Sequence, residues 1–140
     1  MRVLLVGASG FVGSRILEDL LAAGHQVVAV VHSDRSRKEI ESRHPGTPAM
    51  IADVGDLASV RRIYPRGTEA VLYLPGLLRE FPSRGITFDA VHVGGVRNLL
   101  TVAAESGTTV RWLQMSALGT REDAADHRRR AVPPAAGLAR

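Results

Sequence analysis

Short apolar segments alternate with longer mixed segments along this 140-residue chain. The segment Gln26–Val31 is apolar almost throughout and rich in β-branched residues, which is typical of a strand buried on both faces. Four further segments have the length and composition of strands: residues 2–6, 49–52, 69–74 and 109–115. The pattern therefore predicts a sheet of about five strands.

Segments with helical periodicity connect these strands. Residues 11–23 repeat apolar side chains at helical spacing, and Gly24 follows as a C-terminal glycine. A short helix is predicted over residues 57–64 and a long one over residues 86–106, whereas the polar stretch 33–48 is assigned no element. Alternation of strands and helices predicts the α/β class, specifically a Rossmann-like, doubly wound parallel sheet in three α/β/α layers.

Three glycines stand at the first strand-to-helix junction. In such a junction the first, Gly7, permits a sharp turn, and the second, Gly10, leaves room for a pyrophosphate. The third, Gly13, lets the helix pack close to the strand, and the helix N-terminus offers free N–H groups to phosphates. A tight turn without a ligand is the alternative. The predicted dinucleotide-binding residues here are Gly7, Ala8, Ser9, Gly10, Phe11, Val12 and Gly13.

Composition excludes several function classes. Without cysteine there is no disulfide framework, thiolate catalysis or Cys-ligated metal site, which is compatible with a cytoplasmic location. No apolar run approaches the roughly 18–20 residues of a membrane span. The net charge of +4 comes from scattered basic residues, so no nucleic-acid partner is expected. His25 and His92 have no second ligand at metal spacing, and no metal is expected.

The segment after the second predicted strand bears on the choice of cofactor. NAD-binding proteins place an acid there for the ribose 2′-hydroxyl, whereas NADP-binding proteins place basic side chains for the 2′-phosphate. Here the strand is followed by His32, and Arg35 and Arg37 could bind a phosphate bidentately. NADP(H) is therefore favoured, while Asp34 keeps NAD(H) possible. A solvated charged loop is the other interpretation.

The GxxGxxG spacing resembles the extended or atypical branch of the short-chain dehydrogenase superfamily. The segments AMIADVGD (49–56), VLYLPGLLRE (71–80), GITFDAVHVGGVRNLL (85–100) and RWLQMSALG (111–119) extend the resemblance to about residue 123. Together they are similar to bacterial proteins that resemble the NAD(P)H-binding accessory subunit of respiratory complex I. The resemblance implies that Asp53 reaches the adenine and that Gly76 borders the cofactor, with Val54, Leu74 and Pro75 as further cofactor-binding residues.

Ser116 is the single candidate for catalysis. It follows the fifth predicted strand and matches the family position that often holds a Ser or Thr beside a catalytic Tyr. The resemblance also calls for a Lys four residues after that Tyr. Tyr64 and Tyr73 are followed at that distance by Thr68 and Leu77. We therefore expect Ser116 to line the cofactor site, or to be an ordinary serine at a strand end, without the usual proton donor.

Residues after about 123 depart from the resemblance. They are rich in Arg, Ala and Pro, with two consecutive prolines that would interrupt a helix or strand. We expect a nucleotide-binding domain over residues 1–119 and an irregular, disordered segment over 120–140, with a truncation or frame shift near Ala124. Such a truncation would leave the fifth strand as an exposed edge, available to a protein partner or a second copy.

Three functions remain open at this point. The first is a dinucleotide-binding domain without catalysis of its own. The second is an NADP-dependent oxidoreductase or epimerase-like enzyme acting on a small carbonyl compound or a nucleotide sugar. The third is an accessory subunit that binds a nucleotide for structural reasons, and fold alone cannot distinguish among them.

Overall fold

A computed structural model describes residues 1–116 of the chain. Its strands are β1 (Arg2–Val6), β2 (Gln26–Val31), β3 (Ala49–Ile51), β4 (Ala70–Tyr73) and β5 (Arg111–Gln114). Its α-helices are α1 (Phe11–Ala22), α2 (Asp34–Arg43), α3 (Leu57–Ile63) and α4 (Gly95–Glu105). A 3₁₀ turn at Pro82–Arg84 and a π-helix at Asp89–Gly94 lie between β4 and α4.

All five strands are parallel and lie in the order β3-β2-β1-β4-β5. Val3 of β1 pairs with Val27 on one side and with Ala70 on the other. Strands β2 and β3 are therefore added in turn on one side of β1, and β4 and β5 in turn on its other side. In open α/β sheets, ligands bind at the carboxyl ends of the strands beside such a reversal point.

Two apolar layers cover the sheet, one on each face. Side chains alternate along β1, so that Val3 and Leu5 face one cluster while Leu4 and Val6 face the other. The first cluster includes Leu17 of α1 and Ile40 of α2; the second includes Val60 and Ile63 of α3 with Leu99 and Val102 of α4. The predicted three-layer α/β fold is confirmed, and each predicted strand ends within two residues of the observed one.

The polar stretch 33–48 contains a helix that the sequence pattern did not predict. Helix α2 has a single buried residue, Ile40, so it shows almost no apolar stripe. Its N-terminus is capped by the Ser33 hydroxyl, which accepts a hydrogen bond from the Ser36 amide. Ion pairs at helical spacing join Asp34 to Lys38 and to Arg37. Capping and surface charge thus specify this helix, where periodicity does not.

The predicted long helix over 86–106 is also divided in the structure. Ile86 forms an isolated antiparallel bridge with Phe81, and the helical segment starts as the π-helix Asp89–Gly94 before α4 continues it. The Tyr73 hydroxyl donates to the carbonyl oxygen of Val91 within the π-helix. A π-helix leaves carbonyl groups without their usual partners, and this contact satisfies one of them. None of the helices within residues 1–116 is long and apolar enough to cross a membrane.

The predicted irregular segment 120–140 and the proposed truncation near Ala124 lie outside the described residues. The same holds for the last three residues of the predicted domain 1–119.

Candidate functional site

The glycine turn after β1 is held by contacts with its neighbouring strands. The Gly7 amide donates to the Val30 carbonyl oxygen of β2 at 3.0 Å. Gly7 has a φ of +86°, which side-chain-bearing residues rarely adopt. A Cβ at Gly7 would lie 3.3 Å from the Pro75 nitrogen. The turn therefore packs directly against the segment that follows β4.

Gly10 and Gly13 serve different purposes within this turn. A Cβ at Gly13 would overlap the Gly7 carbonyl oxygen and lie 3.0 Å from the Ala8 Cα, so the backbone requires glycine there. Gly10 has a φ of −71°, which any residue can adopt, and its Cβ would meet a single atom, the Gly7 carbonyl oxygen, at 3.3 Å. The protein's own packing therefore has only a slight requirement for glycine at position 10.

The N-terminus of α1 is open to solvent. No side chain caps the helix at Gly10, and its first turn contains no acidic residue. The Phe11 side chain is 97% exposed, and Val12 is exposed beside it. A helix start that is uncapped and free of negative charge is suited to binding an anion.

A cavity of about 160 Å³ lies between this turn and α2. Small-molecule pockets are usually about 300–1,000 Å³, so this cavity cannot enclose a dinucleotide. The turn instead presents an open surface along the carboxyl edge of the sheet. The cavity is lined on one side by Ala8, Ser9, Gly10 and Phe11 and on the other by Glu39, Ile40, Arg43 and His44.

The turn after β2 carries an exposed network of ion pairs. Arg37 donates to Asp34 at 2.7 Å and to Glu41 at 2.8 Å. Hydrogen bonds from Lys38 and, to a smaller extent, from Arg37 lower the pKa of the Asp34 carboxyl. The hydrogen bond to Asp34 in turn raises the pKa of Arg37. Arg35 and His32 are exposed. Of the two predicted arginine clamps, Arg37 is thus already paired with two carboxylates.

The loop after β3 is folded around Asp53. Its carboxylate Oδ1 accepts a hydrogen bond from the Gly55 amide at 2.8 Å, and its own amide donates to the buried Ser59 hydroxyl at 3.1 Å. The half-buried Val54 lies beside α4, where the Asn98 side-chain amide donates to the Val54 carbonyl oxygen at 2.8 Å. The predicted adenine-binding residues therefore sit in an ordered loop that is attached to a distant helix.

The segment after β4 is attached to the π-helix. The Leu77 amide donates to Nε2 of His92 at 3.2 Å, and a Cβ at Gly76 would lie 3.8 Å from the His92 ring. Nε2 must be unprotonated to accept this hydrogen bond, and burial lowers the pKa of His92. His92, which the sequence did not single out for this site, thus holds the segment that contains Leu74, Pro75 and Gly76.

Ser116 follows β5 and is exposed, at the same edge of the sheet as the end of β4. Neither tyrosine is placed to assist it as an acid. Tyr73 is buried and donates to the Val91 carbonyl oxygen, and burial raises the pKa of both Tyr73 and Tyr64. Lys38 lies on α2 in an ion pair with Asp34 at 2.8 Å. A catalytic role for Ser116 stays a prediction.

A sequence model of the NAD dependent epimerase/dehydratase family matches residues 3–133. The chain belongs to this family. The region that matches the family model includes the glycine turn, the ordered Asp53 loop and Ser116. The sequence-based assignment to the short-chain dehydrogenase superfamily is thereby supported.

Two curated relatives match parts of the chain. A 3-beta-hydroxysteroid dehydrogenase of Mycolicibacterium neoaurum is 30% identical over 119 residues, covering 76% of this chain and 29% of that protein. An uncharacterized protein of Saccharomyces cerevisiae is 37% identical over 62 residues, covering 44% of this chain and 21% of that protein. The chain therefore spans less than a third of the length of these relatives.

Solved structures share the fold at lower identity. Yeast methylglyoxal/isovaleraldehyde reductase Gre2, complexed with NADPH, superposes with a TM-score of 0.71 at 19% identity, covering 84% of this chain and 37% of that one. A short-chain dehydrogenase/reductase superfamily protein from Agrobacterium tumefaciens with bound NAD gives 0.64 at 23% identity, covering 84% and 33%. These neighbours confirm the Rossmann-like fold, and both contain nicotinamide dinucleotides.

Three residues that shape this site were not predicted from the sequence. Asn98, His92 and Gly95 all lie on the π-helix or α4 and act on loops far away in sequence. Gly95 has no side chain where Tyr73 and Val54 pack, since a Cβ there would overlap the Tyr73 hydroxyl and lie 3.0 Å from Val54 Cγ2. The contacts of Gly95 with Tyr73 and Val54 leave no signal in local spacing.

Proposed function

We propose that this protein binds NAD(P)(H) across the carboxyl ends of β1 and β4, without independent catalysis in this chain. The observation that carries the proposal is Gly10. Its backbone angles suit any residue, and a Cβ there would meet the Gly7 carbonyl oxygen at 3.3 Å, a far milder contact than at Gly13; within residues 1–116, no side chain accepts from the first N–H groups of the helix that it begins. Close approach of a phosphate group to the backbone accounts for both features.

The residues present fit a dinucleotide on both sides of Gly10. On one side, His32, Arg35 and Arg37 follow β2, where a ribose 2′-substituent would lie, and Asp53 and Val54 follow β3, where an adenine would lie. On the other side, the segment Leu74, Pro75 and Gly76 packs against Gly7, and Ser116 follows β5. When bound, the nicotinamide would supply hydride chemistry, while these residues would bind and orient it.

We also propose a preference for NADP(H) over NAD(H). Arg35 is exposed and the Arg37 side chain is 33% exposed at the start of α2, so both can turn toward a phosphate. The Asp34 carboxylate is less available to a ribose hydroxyl, because it already accepts hydrogen bonds from Arg37 and Lys38. A dianionic phosphate would compete with Asp34 for those cations.

Calorimetric titration of the chain with NADPH, NADH, NADP⁺ and NAD⁺ tests both parts of the proposal. We expect saturable one-to-one binding, tighter for the phosphorylated member of each pair. No binding of any of the four would contradict nucleotide binding. Equal or reversed affinities would contradict the NADP preference alone.

The absence of independent catalysis rests on the proton that a carbonyl reduction requires. Hydride transfer to a carbonyl leaves an alkoxide, and a positioned acid accelerates such steps by roughly 100- to 10,000-fold. Tyr73 and Tyr64 are turned inward with raised pKa values, and Lys38 is far from both in sequence and engaged by Asp34. Turnover of aldehydes, ketones or sugar nucleotides that disappears in Ser116→Ala would contradict this part and favour an oxidoreductase or epimerase.

A second candidate function is that of an accessory or interaction subunit. Strand β5 pairs only with β4 among the described residues, and its end carries Leu113 and Met115, which are 57% and 39% exposed. Apolar side chains on such a strand are suited to contact with a partner protein or a second copy. Sedimentation analysis of the chain distinguishes these cases, because self-association would shift the measured mass with concentration.

A further inference from the structure

One side chain of α4 forms a hydrogen bond to the loop that follows β3. Within the loop, the Asp53 amide donates to Ser59 Oγ and the Asp56 side chain caps α3, so these contacts join the loop to its own following helix. The hydrogen bond from Asn98 Nδ2 to the Val54 carbonyl oxygen, at 2.8 Å, joins it to an element 44 residues away. A carbonyl oxygen only accepts, so the nitrogen of the Asn98 amide must face it.

The peptide unit that Asn98 holds also holds the Asp53 carboxylate. The Val54 carbonyl and the Gly55 N–H belong to one planar peptide, in which the two groups point in opposite directions. Asn98 binds the carbonyl end of this peptide, and the N–H end donates to Asp53 Oδ1 at 2.8 Å. If the peptide rotated, its N–H would leave the carboxylate and Asp53 would lose its orientation.

Packing in α4 places Asn98 for this contact. Leu99, its neighbour, is fully buried in the core cluster and fixes the rotation of the helix. One turn earlier, Gly95 leaves the space in which Val54 Cγ2 packs, at 3.0 Å from the position of a Cβ. With Leu99 buried and Gly95 against Val54, the helix therefore presents the Asn98 side-chain amide to the Val54 carbonyl oxygen.

We infer that Asn98 is a positioning residue for the adenosine half of the nucleotide, acting through the Val54–Gly55 peptide on the Asp53 carboxylate. The inference rests on the proposed dinucleotide function and deepens it. Asn98 itself does not touch the nucleotide. Its effect is to keep the Asp53 carboxylate in one orientation before binding, so that the ligand does not bear the entropic cost of ordering it.

A double-mutant cycle with ADP-ribose as the probe tests this role. We expect Asn98→Leu to weaken ADP-ribose binding about 3- to 10-fold, in keeping with the loss of one hydrogen bond. In an Asp53→Ala background the same substitution should cost less than twofold, because the group it positions is gone. If the two substitutions act independently, the double variant loses ADP-ribose affinity by the product of the two single fold-losses. That result would overturn the inference.

A readout in the free protein separates positioning from general destabilisation. Asn98→Leu should accelerate hydrogen exchange at the Gly55 amide while amides in β1 stay as protected as in the parent. Thr101→Val is the matched control, since the Thr101 hydroxyl donates to the Arg97 carbonyl oxygen of its own helix, and it should change neither ADP-ribose affinity nor Gly55 exchange. Unchanged Gly55 exchange in Asn98→Leu would overturn the inference.

Two further outcomes are distinct. If Asn98→Leu fails to fold, Asn98→Ala removes the amide donor without adding bulk or charge, and the same losses are expected from it. If the parent chain binds no ADP-ribose, the proposed nucleotide function is contradicted and this inference with it. Binding by the parent with multiplicative losses contradicts the role of Asn98 alone.

Discussion

The turns after β1 and β2 lie side by side at one edge of the sheet but are held in different ways. The turn after β1 is fixed by backbone contacts: the Gly7 amide bonds to β2, and Gly13 packs on the Gly7 carbonyl. The turn after β2 leads through the Ser33 cap into α2, whose first turns carry a surface network in which Arg37 pairs with Asp34 and Glu41. The first turn is therefore rigid before any ligand arrives, whereas the second can exchange its partners.

This difference suggests a division of labour in nucleotide binding. The backbone of a glycine turn offers the same N–H groups to any dinucleotide, so it can supply affinity shared by NAD and NADP. Exposed ion pairs contribute little to stability and can rearrange at small cost. Selectivity between the two nucleotides is therefore expected to depend on the turn after β2. Substitutions in the two turns should separate the two effects.

The largest effect is expected from Gly13→Ala. Its Cβ would overlap the Gly7 carbonyl oxygen, which is backbone and cannot move aside without shifting β1 or α1. We expect a loss of about 3 kcal/mol in the free energy of unfolding, measured by urea denaturation. Gly10→Ala is the matched control and should cost much less, because its Cβ meets one atom at 3.3 Å. Equal losses would show that the two glycines are equivalent.

Gly10→Val should abolish binding while the fold survives. A branched side chain at this position would stand in front of the free N–H groups of α1, where the phosphates are proposed to lie. We expect the affinity for NAD and NADP to fall together, by at least about 100-fold. Circular dichroism should match that of the parent chain. Retained binding of either nucleotide would place the site elsewhere.

The double substitution Arg35→Ala and Arg37→Ala should act on one nucleotide only. Both arginines follow β2, and removing them takes away cations that a 2′-phosphate would contact. We expect NADPH affinity to fall about tenfold and NADH affinity to change less than twofold. Titration of the two nucleotides in parallel measures this. Equal losses for both would assign these arginines to general electrostatic attraction.

The smallest effect is expected from Asp34→Asn. The neutral side chain would no longer compete for Arg37 and Lys38, which now lower its pKa by hydrogen bonding. NADPH affinity should rise about two- to threefold, and the gain should shrink as salt is added. Asp19→Asn is the control, because Asp19 pairs with Arg15 on the exposed face of α1. A gain of equal size in the control would reflect net charge alone.

Much of the fold could be predicted from sequence because its signals are local. The buried strand Gln26–Val31 and the glycine turn each occupy a few consecutive residues, and both are found where they were predicted. Helix α2 was missed because its stability comes from the Ser33 cap and from ion pairs, with Ile40 as its single buried side chain. The π-helix was missed because the local pattern of apolar residues continues through it, and its contact with the Tyr73 hydroxyl comes from β4.

The candidate site was only partly predictable for the same reason. Residues that would touch a nucleotide lie at strand ends, and strand ends are visible as sequence boundaries. Asn98 and His92, which hold those residues in place, contact backbone groups of Val54 and Leu77, and a backbone partner leaves no mark on side-chain spacing. Such contacts require the packed structure of α4 against the sheet before they can be seen.

The pairing of β1 with β4 has a consequence for the order in which the molecule folds. Val3 pairs with Val27 across a short connection but with Ala70 across a much longer one, and longer closures are slower. The β1–β2–β3 unit can thus form early, while the junction of Gly7 with Pro75 forms only when the second half docks. A nucleotide bound across that junction would slow unfolding rather than speed folding.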